Sequence, residues 1–339
     1  MPTQDEPARA RSARLSSPSK KSPSPSSWIS VFAPASVANF GVGYDVLGAA
    51  LEGPGDVVRA RLTDTPGVRL AGITGDGGRL PTAARRNTAA VAAAAVLAAA
   101  GERRRGIELT LEKGLPLSSG MGSSAASAAA GALAAGLLLG IADRAVLLRP
   151  ALLGEHVADG SWHGDNVFAS LLGGFVLVPL SDPDGPLAPV RLKAPARLRL
   201  VLVHPELELE TRRARGVVPR NVPMAVHVAH AASLAGLALA LASGDLARAG
   251  RALLEDRLVD PARLPLIPGG RAVLDAMLAA GAFGTCLAGA GPSLLALTED
   301  GPRAVRVARA AEAAWRRAGI AARATVHRLD ARGARRVRS

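Results

Sequence analysis

The sequence predicts an α/β chain folded as two domains. Three observations carry that expectation. At 339 residues the chain is about twice the common domain size. Its first half interleaves short β-branched, partly alternating stretches with glycine loops and alanine-rich runs, the pattern of strands with inserted helices. A Pro/Asp/Gly-rich segment, Ser181 to Pro189, then separates this half from a second one with its own strand-like and helical runs. Hydrophobic residues make up 49% of the chain but aromatics only 3%, so the core is expected to consist of closely packed helices with small side chains.

In chain order, the folded part is expected to begin at Trp28. Trp28 to Ala33 (WISVFA) is a strand signal, and a turn-rich loop follows from Pro34 to Asp45 with two glycines. Val46 to Leu51 and the alternating Asp56 to Leu62 are the next strand candidates. Asn87 opens an alanine-rich helix through Ala100, and Ile107 to Leu111 alternates again. The second half is expected to open with the stretch Arg191 to Val203, which ends in a strand, followed by a helix beginning near Glu210.

Between Gly114 and Ala130 the chain reads GLPLSSGMGSSAASAAA, a Gly/Ser turn running directly into a helix. Gly120 and Gly122 flank Met121, so the backbone there has access to positive φ and to close approach by a ligand. Ser123 and Ser124 stand where the helix begins, with serine a good N-cap. The first N–H groups of a helix lack internal partners and lie at the positive end of its dipole. That combination binds phosphate. The spacing is neither a Walker A loop nor a dinucleotide fingerprint, since no Lys follows the glycines. The competing reading is a Gly/Ser loop that merely caps a buried helix. The absence of charge from 114 to 142 also raises a membrane span, but Pro116 and the Ala/Gly/Ser composition favour a buried helix.

The longer string, Leu115-Pro116-Leu117-Ser118-Ser119-Gly120-Met121-Gly122-Ser123-Ser124-Ala125-Ala126, resembles the ATP-binding loop of the GHMP small-molecule kinases, with Met121 where Leu is commoner. Three other segments fit the same superfamily in the same order. PASVANFGVGYDVLGAAL, from Pro34, is similar to the N-terminal motif of its homoserine kinase branch, although Asn and Asp are also ordinary turn formers. HGDNVFASLLGGFVLV, from His163, resembles that branch's HxDN segment, with Trp162 and Gly164 as unusual neighbours. Thr285 to Ser293 (TCLAGAGPS) resembles the third GHMP motif, with Ala288 where Ser is often found.

What the resemblance implies is specific. The fold would be a ribosomal S5 domain 2-like N-terminal domain (28–185) and a ferredoxin-like C-terminal domain (190–328); composition adds the expectation of a disordered basic tail at 1–27 and a basic tail at 329–339. The reaction would be ATP-dependent phosphorylation of L-homoserine to O-phospho-L-homoserine, on the way to threonine. ATP would lie on the loop residues just quoted, with Asn87 on the adenosine side. Mg²⁺ would be held by Ser124 and Glu155; Mg²⁺ takes few protein oxygens beside phosphates and water. Asn39, Asp45, His163, Arg215, Arg263 and Gly289 would form the homoserine site, with Asn166 and Thr211 beside the transferred phosphoryl group. Thr211 and Arg215 lie one helical turn apart, and arginine suits a carboxylate because its planar fork binds both oxygens. Some relatives activate the hydroxyl with an Asp–Lys pair. Lys113 and Lys193 are the only lysines outside the first 28 residues, and no base is assigned. A GHMP kinase for another alcohol, or a non-catalytic ATP-binding relative, remain alternatives.

The net charge of +13 raises nucleic acid as a partner. Residues 1–28 carry +3 of it and residues 328–339 carry +4, while the body shows no aromatic-interleaved basic patch. Neither nucleic acid nor membrane is therefore expected as a partner; the expected assembly is a homodimer, common among the relatives. The lone Cys286 excludes an internal disulfide, fits a small buried residue and suits a reducing compartment, here the cytoplasm. Residues 1–28 are rich in Ser, Pro and Arg, and an apolar signal core is missing from them. Deleting residues 2–26 should leave the thermal midpoint and the activity close to the parent; a collapse of either in a melting or turnover assay would show that the segment docks on the body.

Overall fold

The computed structural model describes residues 27–117, 119–178, 185 and 187–338. The expected disordered segment before Ser27, residues 181–184 and 186 of the expected linker, and Ser118 of the Gly/Ser loop lie outside them.

The first half forms β1 (Ile29–Asn39), β2 (Gly43–Thr63), β3 (Gly67–Thr74), α1 (Thr88–Ala99), β4 (Gly106–Glu112), α2 (Ser123–Leu138), α3 (Arg144–Asp159), α4 (Gly164–Leu172), β5 (Phe175–Leu177) and β6 (Val190–Leu192). The two strands expected on either side of Gly53 are one, the 21-residue β2. Its beginning pairs with β5 and its end with β4. The loop expected from Pro34 is shorter than predicted, because β1 continues to Asn39 and pairs with β2 across a register shift.

Alanine explains the layer of helices over this sheet. α2 is buried almost all round, the signature of a core helix, as its composition predicted. A Cβ at Gly131 would stand 2.2 Å from the Ala89 carbonyl oxygen, and one at Gly154 would stand 2.6 Å from that of Thr88. The contacts that bring α2 and α3 onto α1 therefore need glycine at those points. Asn87 caps α1, its side chain accepting from the N–H groups of Ala89 and Ala90.

The second half contributes β7 (Leu198–Pro205), α5 (Thr211–Gly216), α6 (Met224–Ser243), α7 (Leu246–Leu253), α8 (Val259–Arg263), α9 (Gly270–Ala279), β8 (Gly284–Leu287), β9 (Leu294–Glu299), α10 (Pro302–Arg317), β10 (Ala322–His327) and β11 (Arg335–Val337). Its sheet runs β10-β7-β9-β8, antiparallel throughout. Taken as four strands, that is fourth-first-third-second, the ferredoxin-like order the resemblance implied. Its own core gathers Val201, Val203, Val273, Leu294, Val307 and Trp315 between this sheet, α9 and α10.

Two expected boundaries are corrected. Val190–Leu192 was expected within the second domain, but as β6 it pairs with β5 in the first sheet. The second sheet starts only at Leu198. The expected basic tail after Leu329 instead returns to the first domain. β11 pairs with β1, Ala334 is buried, and Arg335 donates to Asp330 at 2.8 Å. Net charge alone gave no sign of this, because Arg335 and Arg336 sit on an edge strand whose backbone bonds decide its place.

α6 is long and apolar enough to cross a membrane by length and composition, yet here it is packed against α7 through Leu237, Ala240 and Leu241 with most of its surface exposed.

Candidate functional site

A cleft of about 460 Å³ opens between the two domains. Its floor is the Gly/Ser loop that precedes α2. Gly120 and Gly122 adopt φ of 76° and 60°, as the motif required. A Cβ on Gly122 would lie 2.1 Å from Ser36 Oγ, and one on Gly120 would lie 2.6 Å from the Ala288 carbonyl oxygen. The loop is thus clamped between β1 and the turn after β8, and the Met121 carbonyl accepts from Ser36 N at 3.1 Å. Gly122, not Ser123, is the N-cap of α2. Ser123, Ser124 and Ala125 form its first turn, where N–H groups have no carbonyl within the helix to bond. Ala126 N already donates to the Gly122 carbonyl. Leu117, Ser119, Gly120, Gly122, Ser123 and Ser124 line the cleft. The side chains of Met121, Ala125 and Ala126 go to the core, and Pro116 is exposed.

Ser124 Oγ donates to Glu155 Oε1 at 2.8 Å. Glu155 comes from α3, is 3% exposed, and its Oε2 has no hydrogen-bond partner among the described residues. Burial pushes its pKa up to about 7, against the charge of His163 and the Ser124 bond. A buried carboxylate oxygen without a partner, beside a hydroxyl and the loop, is a donor set suited to Mg²⁺ shared with phosphates.

The wall opposite α2 is built by the turn after β1. Asn39, Phe40 and Asp45 all have positive φ, at 78°, 47° and 56°. Asn and Asp tolerate that region, but Phe does not. Phe40 is held there by packing: it is fully buried, with its ring 4.8 Å from Phe175. The turn presents Asp45, whose N–H donates to Asn39 Oδ1 at 3.0 Å. Asn39 Nδ2 donates to the Gly289 carbonyl at 2.6 Å. Both ends of the Asn39 amide are therefore engaged, and its role here is to hold Asp45 and the Gly289 turn.

Arg215, from α5, donates to both Asp45 oxygens, at 2.9 and 2.8 Å, and to Tyr44 Oη at 2.9 Å. Arg263 is 1% exposed, donates to the Ala214 and Gly289 carbonyls, and stacks on the Tyr44 ring 4.9 Å from its centre. Thr211, at the start of α5, lines the cleft as well. Asn166 accepts from Ser36 Oγ at 3.0 Å, in the first turn of α4. His163 is the N-cap residue of that helix, and its Nε2 bonds Asp159 Oδ2 at 3.1 Å. Burial opposes its charge, but the Asp159 bond and the carboxylates of Glu155 and Asp165 outweigh it and hold its pKa at about 9. Arg215 Nη2 stands 3.4 Å from Nδ1, too far for a strong bond. Burial, helped by the negative charge of Asp45, raises Asp165 to about 6.

The residues implied for substrate, phosphoryl group and metal all line this one cleft, and so does Asn87. Cys286 is buried, with its thiol pushed well up by burial, as expected of an inert core cysteine. Sequence reasoning missed Tyr44 and one charged network. Lys113 Nζ donates to Asp56, to the Ser123 carbonyl at 2.8 Å and to Ser127 Oγ at 3.0 Å. Ser127 in turn donates to Asp56 Oδ2 at 2.7 Å, and Gly114 N donates to Asp56 Oδ1 at 3.1 Å. Burial pulls both ionisable groups toward neutrality and their mutual attraction opposes it. The one available signal was Lys113 itself, one of two lysines after residue 28, directly before the loop.

The GHMP kinases N terminal domain family matches residues 87–174 and the GHMP kinases C terminal family matches residues 237–317. A protein of Xylella fastidiosa named homoserine kinase is 45% identical over 307 residues, covering 90% of this chain and 92% of that one. One of the same name from Arabidopsis thaliana is 40% identical over 320 residues, 92% and 85% of the two chains. The crystal structure of homoserine kinase from Cytophaga hutchinsonii superposes with a TM-score of 0.86 at 40% identity, over 96% of this chain and 100% of that one.

Proposed function

This chain belongs to the homoserine kinases of the GHMP superfamily, and from that premise we propose how its cleft carries out the reaction. The enzyme transfers a phosphoryl group from ATP to L-homoserine, giving O-phospho-L-homoserine. The observation that carries the substrate reading is the placement of a carboxylate and two guanidinium groups, Asp45, Arg215 and Arg263, across one cleft from a phosphate loop.

The N–H groups of the loop and of the first turn of α2 hold the triphosphate, and the α2 dipole adds to their field. Ser124 and Glu155 would hold Mg²⁺, which would neutralise phosphate charge when bound. The homoserine ammonium pairs with Asp45, which Asn39 orients. The carboxylate pairs with Arg215 and Arg263, and His163 adds a positive charge beside them. Thr211 and Asn166 border the hydroxyl and the group it receives. Phosphoryl transfer has a loose transition state, so alignment and charge stabilisation supply most of the rate, and no dedicated base is assigned.

ADP release coupled to a dye, with and without L-homoserine, tests the reaction; ATP turnover indifferent to homoserine would overturn it. A second measurement tests the site. 3-Amino-1-propanol lacks the carboxylate and leaves cations unpaired, so it should lose on the order of a hundredfold or more in kcat/KM. Equal turnover of the two alcohols would remove the arginines from substrate recognition.

We also place the enzyme in the cytoplasm, with a buried thiol suited to a reducing compartment, and as a homodimer. The dimer is supported by the apolar surface of α6, where Met224, Val228 and Leu239 are 73%, 58% and 71% exposed. Light scattering should report twice the chain mass at micromolar concentration, and Leu239→Glu should shift it toward the monomer. A monomeric parent would discard the proposal.

A further inference from the structure

The homoserine site contains its own counterfeit of the substrate. L-Homoserine carries an ammonium and a carboxylate on one carbon. The cleft already holds a carboxylate and a guanidinium bound to each other, Asp45 and Arg215, in a two-pronged ion pair of 2.8 and 2.9 Å. Their side chains are 38% and 26% exposed, so the pair faces the cleft and is open to exchange.

We propose that the Asp45–Arg215 ion pair is a selectivity device: the zwitterionic substrate displaces it charge for charge, and ligands carrying only one of the two charges are excluded because they leave the other partner alone. The inference rests on the homoserine reading above and adds a mechanism of exclusion to it.

Magnitudes decide which step discriminates. Opening a part-exposed ion pair costs little by itself. The penalty comes afterwards, in the ligand-filled cleft. A singly charged ligand satisfies one of the two groups, and the other has lost both its partner and its water. A zwitterion satisfies both, so the exchange is nearly balanced before the remaining contacts are counted. Surrounding residues keep the pair in place for this exchange. Asp45 is fixed through its N–H by Asn39. Arg215 also donates to Tyr44 Oη, and the Tyr44 ring lies under both Arg215 and Arg263, at 5.6 and 4.9 Å. A ring within reach of two cations lowers the cost of holding them near one another. Asp159, Glu155 and Asp165 line the same cleft, but Asp45 is the single acidic group hydrogen-bonded to Arg215 among the described residues.

The test is a crossed exchange of charges, with Kd read by calorimetry in the presence of ADP and Mg²⁺. 4-Hydroxybutyrate is homoserine without the ammonium, and 3-amino-1-propanol is homoserine without the carboxylate. Asp45→Asn releases Arg215. It should bind 4-hydroxybutyrate on the order of tenfold tighter than the parent does while binding L-homoserine at least about tenfold more weakly. Arg215→Met releases Asp45 and should do the same for 3-amino-1-propanol. A gain of binding cannot come from a damaged fold, and the two variants remove opposite charges, so a folding defect in one leaves the other to decide. If each variant binds its singly charged ligand no better than the parent does, the exchange is overturned. A parent that fails to bind L-homoserine at all would refute the functional reading instead, and the two failures are distinct.

Discussion

Glu155→Gln should lower kcat by about a hundredfold or more and at the same time stabilise the empty enzyme at pH 8. The first effect follows from charge. Gln keeps the shape and still accepts from Ser124 Oγ, but it removes the negative oxygen pair proposed to hold Mg²⁺, whose help to the transition state is worth several kcal/mol. The second follows from burial. The Glu155 pKa is raised from 4.5 to about 7, so the carboxyl contributes fully to stability below pH 4.5 and that contribution is lost as pH rises through about 7. At pH 8 the parent holds an ionised, buried carboxylate whose cost is on the order of 3 kcal/mol, and Gln does not bear it. Urea unfolding at pH 5 and pH 8 should therefore show a gain that is larger at pH 8, alongside the loss of turnover. Mg²⁺ with nucleotide should stabilise the parent more than the variant. Near-normal turnover at saturating Mg²⁺ removes Glu155 from the metal site. A variant less stable than the parent at pH 8 would show that the carboxylate is held by partners stronger than burial.

Lys113→Met should be the largest loss of stability from any single substitution near the cleft, about 3–5 kcal/mol. The ion pair it breaks is among the least accessible in the chain, with side chains 1% and 0% exposed. Removing Lys113 strands the Asp56 carboxylate and frees the Ser123 carbonyl that anchors the start of α2. Burial already raises the Asp56 pKa, and without Lys113 only the hydrogen bonds from Ser127 and Gly114 oppose it. The variant should accordingly recover part of its stability in acid, as Asp56 takes up a proton, and lose it again as pH rises. The double variant Asp56→Leu, Lys113→Met should regain most of the stability but not the ATP affinity, because an apolar pair fills the space without tethering Ser123 and Ser127. Urea midpoints and KM for ATP separate the two effects. A Lys113→Met variant as stable as the parent would mean that the pair is a solvated contact with no structural weight.

Asp56 and Lys113 also show why part of the site was illegible. They lie 57 residues apart, on β2 and at the end of β4. Each alone is an unremarkable charge at a strand end, and only the β2–β4 register sets them side by side. Tyr44 is similar: its part depends on two arginines from α5 and α8 closing over one ring. The β6 boundary and the returning β11 were missed because backbone pairing decides them, and a three-residue strand leaves almost no periodicity to read.

What the sequence by itself determined is whatever depends on local chemistry. The glycines of the phosphate loop needed positive φ and took it; the alanine run became a core helix; Thr211 and Arg215 were one turn apart and faced one cleft. Four motifs in order were enough to identify the two-domain fold and the family. Only the tertiary structure decided how the charges are partnered. Asn39 is committed to Asp45 and Gly289, Asp45 is paired with Arg215, and Glu155 is buried with one oxygen left without a partner among the described residues. The reason is physical: a side chain's type limits what it is able to bond, but the distance and dielectric that set the strength of each bond come from segments far away in sequence.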